Sequence, residues 1–164
     1  MPLDWKKVCA VVFDFDGVLT DNRVWVFEDG REAVCCNRAD GLAFDEFRAR
    51  KLPAVILSTE KNPVVAARAK KLQVPAIQGS SDKAESLRQL CAAEKWDPAR
   101  VLYVGNDLND LGAMTLSGFS VATADAHPHI RSVAKYVLQT AGGAGAAREI
   151  ARLLFAHEPG YAPA

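Results

Sequence analysis

The chain has 164 residues, 49% of them hydrophobic, with 20 Lys and Arg balanced by 20 Asp and Glu and a sequence pI near 6.8. That length suits one domain with a sizeable core, and the even charge gives no footing for nucleic acid or an anionic membrane as partner. No apolar run approaches the roughly 20 residues of a membrane span, and the opening Met-Pro-Leu-Asp-Trp-Lys-Lys lacks a signal-peptide core, so a cytoplasmic protein is expected.

In chain order, Val8 to Phe13 reads as a buried parallel strand, an apolar run of β-branched and aromatic residues. It ends in Asp14-Phe-Asp16-Gly17-Val-Leu-Thr20-Asp21. Two residues apart in a strand share a side, although Gly17 suggests that the chain is already turning. Residues 23–37 form two β-rich runs around Asp29-Gly30, a hairpin signal. An amphipathic helix follows from Gly41 to Arg50, then a strand from Leu52 to Leu57 that ends in Ser58-Thr59-Glu60. Asn62-Pro63 opens a helix through Leu72, with proline in its first turn. Val74 to Ile77 is a short strand, and Ser80-Ser81-Asp82 caps a helix from Lys83 to about Trp96.

The alternation continues with a strand at 100–104, ended by Gly105-Asn106-Asp107, and a helix at about 108–116. A strand at 119–121, a helix near 128–134, a strand at 136–138 and a helix at 144–156 complete it. Such a pattern predicts an α/β fold, a doubly wound parallel sheet covered on both faces. A single domain over 1–164 is expected, with Gly142 to Gly145 as a flexible joint and about 157–164 as a mobile tail. The four cysteines, Cys9, Cys35, Cys36 and Cys91, show no Cys-x-x-Cys spacing and read as reduced thiols. His127, His129 and His157 make no metal-ligand pattern.

Three strand ends carry polar residues suited to one chemistry: Asp14 and Asp16; Ser58 and Thr59; Asn106, Asp107 and, a turn later, Asp110. Lys83 opens a helix between the last two. Taken singly, each reads equally well as a helix cap or a solvated surface group. In a doubly wound sheet, however, these ends converge on one crevice. Several acids with one Lys and one Ser then describe an oxygen-rich site for Mg²⁺, with a cation and a hydroxyl left over for phosphoryl oxygens.

Together these segments resemble the four motifs of the haloacid dehalogenase (HAD) phosphatases, over nearly the whole chain. The resemblance implies a HAD-like Rossmannoid sheet, with Asp14 as the nucleophile that forms an aspartyl phosphate and Asp16 as the acid that protonates the leaving oxygen and then activates water. Ser58 and Lys83 would hold phosphoryl oxygens. Asp14, the Asp16 carbonyl, Asn106 and Asp107 would supply Mg²⁺ ligands, and Asp110 would orient Lys83. Many relatives carry Asp directly after the motif-four glycine, where this chain has Asn106, which brings one negative charge fewer.

Only the hairpin after the first strand fits a cap position, so no large cap domain is expected. The chain resembles the small tetrameric branch that holds the 3-deoxy-D-manno-octulosonate 8-phosphate and 2-keto-3-deoxynononate 9-phosphate phosphatases and the phosphatase-like domain of acylneuraminate cytidylyltransferases. Asn37-Arg38-Ala-Asp40-Gly41 and Gly142-Gly-Ala-Gly-Ala-Ala-Arg148-Glu149 support that likeness. It implies a homotetramer whose hairpins cover neighbouring active sites. Thr59-Glu60 stands where octulosonate enzymes usually have Gly-Arg, which favours a nonulosonate (KDN or acylneuraminate) 9-phosphate as substrate. Arg68 and Lys71 share a helix face and are candidates for a sugar carboxylate, Thr59 and Glu60 for its hydroxyls. The alternatives are the eight-carbon octulosonate 8-phosphate, or a weakly catalytic module that partners a CMP-acylneuraminate synthetase.

Overall fold

A computed structural model describes residues 3–162. The first two and last two residues of the expected 1–164 domain, and so the end of the expected tail, lie outside the described residues. Six parallel strands form one sheet in the order β5-β4-β1-β6-β7-β8: β1 (Ala10–Phe13), β4 (Ala54–Leu57), β5 (Ala76–Ile77), β6 (Val101–Gly105), β7 (Phe119–Ala122) and β8 (Tyr136–Val137). Among the described residues, helices α1 (Ala39–Ala49), α2 (Pro63–Leu72), α3 (Lys83–Glu94), α4 (Leu111–Leu116) and α5 (Pro128–Val133) lie between successive strands, and α6 (Ala146–Phe155) follows β8. The expected doubly wound sheet is therefore present. Among the described residues, strands β2 (Thr20–Val26) and β3 (Glu32–Cys36) pair only with each other, as the hairpin. There is no large cap among the described residues, and no helix there is long and apolar enough to cross a membrane.

Alternation along the strands decides which core each residue joins, because successive side chains point to opposite faces. Val11 and Phe13 of β1 pack with Phe44, Phe47, Ile150 and Phe155 from α1 and α6. Ala10 and Val12 face the other way, toward Leu87, Met114 and Ile130 from α3, α4 and α5. Both layers exclude water from β1, whose four residues are all buried. Its neighbours β4 and β6 run toward opposite edges of the sheet, so β1 sits at the point where the winding reverses.

Local signals set the helix ends near that point. Asn62 caps α2 by accepting from the Val64 N–H at 3.0 Å, with Pro63 following it. Asp82 caps α3 by accepting from Glu85 N–H at 3.0 Å, which fixes Lys83 in the first turn. Farther off, the segment expected to be a mobile tail makes defined contacts. Glu158 accepts from Arg50 Nε at 2.8 and 3.1 Å, the Arg50 guanidinium stacks 4.2 Å from the Phe155 ring centre, and Tyr161 donates to Glu46 at 2.9 Å.

Candidate active site

The carboxyl ends of β1, β4 and β6 bound a crevice of about 310 Å³ lined by Asp14, Asp16, Ser58, Thr59, Asn106 and Asp107. A second cavity of about 270 Å³ opens beside it under the hairpin, shares Asp16 and Asn22 with it, and adds Glu60, Glu32 and Asn62. A larger space of about 430 Å³, around Phe47, Leu52, Val74, Leu90 and Trp96, lies at the other end of β4 and carries no comparable set of acids.

Asp14 continues the β1 ladder, its N–H donating to the Val104 carbonyl at 2.9 Å, and its side chain is 6% exposed. Its Oδ1 accepts from the Phe15 N–H and from Lys83 Nζ, each at 2.7 Å. Burial first, and Asp110 second, push the Asp14 carboxyl up to about 7 against the pull of Lys83. Asp16 is turned away from this pair. The chain reverses at Gly17, φ +79°, and the Thr20 hydroxyl donates to Asp16 Oδ1 at 3.2 Å. Burial raises the Asp16 carboxyl from its ordinary value, with the Thr20 bond opposing.

Lys83 is buried and also reaches Asp110 Oδ1 at 2.7 Å. Burial works to lower this ammonium, but Asp14 and Asp110 outweigh it and hold its pKa above the ordinary value. Asp110 is itself a hub. Tyr103 donates to its Oδ1 at 2.8 Å, and the N–H groups of Asn106 and Asp107 donate to its Oδ2 at 2.8 and 3.2 Å. Gly105 makes room for it, since a Cβ there would stand 2.7 Å from the Asp110 carboxylate. Ser58 is buried at the end of β4, its hydroxyl accepting from the Glu60 N–H at 3.0 Å.

One terminal atom of the Asn106 amide lies 3.2 Å from Asp14 Oδ2 and 2.9 Å from the Asp16 carbonyl oxygen. Placed as nitrogen, that atom donates to both; placed as oxygen, it completes three oxygens with no proton between them. The 2.9 Å separation from the Asp16 carbonyl matches the edge of an octahedron whose centre is about 2.05 Å from each oxygen, the Mg²⁺ spacing, and the separation from Asp14 is longer at 3.2 Å. The donor set fits a hard divalent cation. Among the described residues no three His, Cys, Asp or Glu side chains form a metal cluster, because this set draws on a carbonyl and an amide. Asp107 lines the crevice, yet its Oδ1 accepts from the Leu108 N–H at 2.7 Å.

Thr59 lines the crevice and Glu60 the cavity beside it, where Glu60 Oε1 accepts from the Lys61 and Asn62 N–H groups at 2.7 and 2.8 Å. Arg68 and Lys71 are not brought there. They line a separate space of about 220 Å³ with Arg38 and Arg48, and Arg68 donates to the Asn37 carbonyl at 2.7 Å. The reason is helical rise: at 1.5 Å per residue, they lie roughly 9 and 14 Å along the axis from the Asn62 cap. Asn22 and Glu32, with Asn62 beyond its part as the α2 cap, also line the cavity beside the crevice, which their sequence positions do not signal. Asn22 adopts φ +62°, a conformation that asparagine tolerates and that nothing in the flanking residues announces.

The family model for haloacid dehalogenase-like hydrolase matches residues 48–150. The 3-deoxy-D-manno-octulosonate 8-phosphate phosphatase of Yersinia pestis is 33% identical over 149 residues, 90% of this chain and 80% of that protein. The same enzyme of Escherichia coli K12 is 35% identical over 150 residues, 91% and 80% of the two chains. Among solved structures, a HAD-family protein of Streptomyces avermitilis superposes with a TM-score of 0.92 at 46% identity, covering 96% of each chain. The octulosonate 8-phosphate phosphatase of Moraxella catarrhalis, in complex with a magnesium ion, a phosphate ion and a KDO molecule, superposes at 0.89 with 28% identity over 93% of this chain and 88% of its own. On its sequence and its fold, the chain belongs to the haloacid dehalogenase-like hydrolases.

Proposed function

We propose that this HAD-family phosphatase uses Mg²⁺ to remove the terminal phosphate of a 2-keto-3-deoxy sugar acid, with the eight-carbon octulosonate 8-phosphate as its substrate. The observation that carries the chemistry is the placement of Asp14, with one oxygen held by Lys83 and the other 3.2 Å from an Asn106 amide atom that also lies 2.9 Å from the Asp16 carbonyl. The preference for eight carbons is supported by the curated relatives, which replace the nine-carbon reading of the sequence as the leading one.

In the first displacement a carboxylate oxygen of Asp14 bonds to phosphorus, the ester P–O bond breaks, and Asp16 gives its proton to the departing alcohol oxygen. In the second, water attacks the phosphorus of the aspartyl phosphate, Asp16 takes the water proton, and Asp14 leaves as carboxylate. Lys83 and the Ser58 hydroxyl hold phosphoryl oxygens while charge redistributes over them. Asp14, the Asp16 carbonyl and Asn106 would hold Mg²⁺, with Asp107 beside them. Bound there, the ion offsets the repulsion between two anions.

The hairpin supports an assembled enzyme. Val24, Trp25, Val26 and Phe27 are 50–72% exposed, an apolar run that a second copy would cover. In a homotetramer packed through hairpins, Arg68 and Lys71 meet a sugar carboxylate in a neighbouring copy's crevice rather than their own.

Thr59-Glu60 favours a second reading, the nonulosonate 9-phosphate, because Glu60 offers an acceptor to the hydroxyls of a longer polyol. Relative kcat/KM on the eight- and nine-carbon phosphates separates the two readings. A higher value for the eight-carbon ester is expected. A preference for the nine-carbon ester would transfer the assignment, and failure on both would reject the sugar-acid class. The Lys83–Asp14 ion pair, with Asp16 lining the same crevice, gives no support to a weakly catalytic module.

A further inference from the structure

Gly142 and Gly143, between β8 and α6, press on the turn that follows the nucleophile. A Cβ on Gly142 would stand 2.1 Å from the Gly17 carbonyl oxygen, and one on Gly143 would stand 2.4 Å from the Asp21 nitrogen and 2.6 Å from the Thr20 carbonyl carbon. Those distances leave no room for any side chain. Gly143 also has φ +68°, and its N–H donates to the Val18 carbonyl at 3.0 Å. The glycine turn is itself tied down from two sides. Asp125 accepts from the Gly142 N–H at 2.9 Å, and Asn37 donates to the Gly143 carbonyl at 3.3 Å.

The turn beneath these glycines carries the acid. Thr20 Oγ1 accepts from the Gly17 and Asn22 N–H groups, each at 3.2 Å, and spends its own proton on Asp16 Oδ1. Displacing Thr20 therefore displaces the Asp16 carboxyl. Thr20 also begins β2 and Asn37 follows the end of β3, so the glycine pair touches both feet of the hairpin.

We infer that the Gly142–Gly143 turn is a positioning element for Asp16, setting the carboxyl against the leaving oxygen and tying its place to that of the hairpin. The inference rests on the proposed role of Asp16 as proton donor. Its consequence depends on the leaving group. A sugar alkoxide departs poorly without a proton, and general acid catalysis contributes about 10²- to 10⁴-fold. p-Nitrophenolate departs without that help. A misplaced acid thus slows the sugar ester selectively, whereas general damage to the fold slows both.

The test compares kcat/KM, which covers the steps through departure of the alcohol, for octulosonate 8-phosphate and p-nitrophenyl phosphate in wild type, Asp16→Asn, Gly143→Ala and Asp125→Ala. Both Asp16→Asn and Gly143→Ala are expected to lower the ratio of sugar ester to nitrophenyl ester, the latter by about 10-fold or more, since an error near 1 Å costs about 100-fold. Asp125→Ala, which removes one hydrogen bond without adding bulk, is expected to lower it about threefold. A folded Gly143→Ala enzyme that loses both activities equally, or neither, overturns the inference. Should that variant not fold, an unchanged ratio in Asp125→Ala overturns it instead. An unchanged ratio in Asp16→Asn would reject the acid assignment itself, and the inference with it.

Discussion

Lys83 and Asp110 form an ion pair at 2.7 Å with both side chains almost wholly out of water, 1% and 0% exposed. The same ammonium is 2.7 Å from Asp14, so one cation holds two buried carboxylates apart from solvent and in register. Asp110 then extends the order to the motif-four backbone through the Asn106 and Asp107 N–H groups.

Replacing Asp110 by Asn breaks this hub. The amide nitrogen would face donors on at least one side, either the Lys83 and Tyr103 protons or the two backbone N–H groups. Breaking a buried pair costs about 3–5 kcal/mol, and a displaced Lys83 is expected to lower kcat about 100-fold. Urea denaturation and phosphate release on the same sample check both. A variant as stable and as active as the wild type would remove Asp110 from the account.

The charge of residue 106 is expected to set metal affinity. Asn106→Asp adds a negative ligand and should lower the Mg²⁺ concentration for half-maximal activity about 10-fold, whereas Asn106→Leu should raise it by at least as much, because affinity follows ligand charge count. Chelation of Mg²⁺ by EDTA should stop turnover, and added Mg²⁺ should restore it. Identical Mg²⁺ titrations for the three proteins would place the ion elsewhere.

Stability should depend on pH through Asp40, which stands in the first turn of α1, outside the set that lines the crevice. Burial, only partly offset by the Ala147 N–H and by Arg68, pushes its carboxyl from 3.8 up to about 6. The folded state keeps this proton to higher pH than the unfolded chain, so the Asp40 contribution is lost as pH rises from about 4 to about 6. At 1.36 kcal/mol per pH unit the rise corresponds to about 3 kcal/mol. Asp40→Asn does not titrate. Its stability relative to wild type should therefore increase by about that amount between pH 4 and pH 7.5 in urea denaturation, and a constant difference would contradict the sign.

Trp25 is 72% exposed at the middle of the hairpin's apolar run. Trp25→Lys is expected to reduce the mass measured by light scattering and to raise KM, since a neighbour would no longer cover the crevice. A wild-type protein that is already monomeric at assay concentration would remove the covering role.

The sheet and the strand-end acids were legible because buried parallel strands are short, apolar and punctuated by polar residues at the ligand-binding end. The Asp29-Gly30 turn was legible for its local chemistry, with Gly30 at φ +82°. What escaped depends on partners distant in sequence. The hairpin begins at Thr20 rather than Arg23, since a register shift between Thr20 and Val24 breaks the alternation that marks a strand. Glu158 finds Arg50 across 108 positions, so the tail gave no local sign of being held. Gly142 and Gly143 read as a flexible joint, yet the reason for two glycines is the backbone of residues 17–21. Arg68 and Lys71 share a face, as their spacing implied, but the face does not meet the crevice of the same chain.

Under the proposed mechanism Asp14 is phosphorylated during turnover. Acid quenching of the enzyme in its steady state with octulosonate 8-phosphate and Mg²⁺, followed by mass spectrometry of the peptide spanning 8–23, tests it most directly. A phosphoryl group on Asp14 that hydroxylamine removes is expected, with neither phosphopeptide nor phosphate release in Asp14→Asn. Undiminished phosphate release by Asp14→Asn would contradict it.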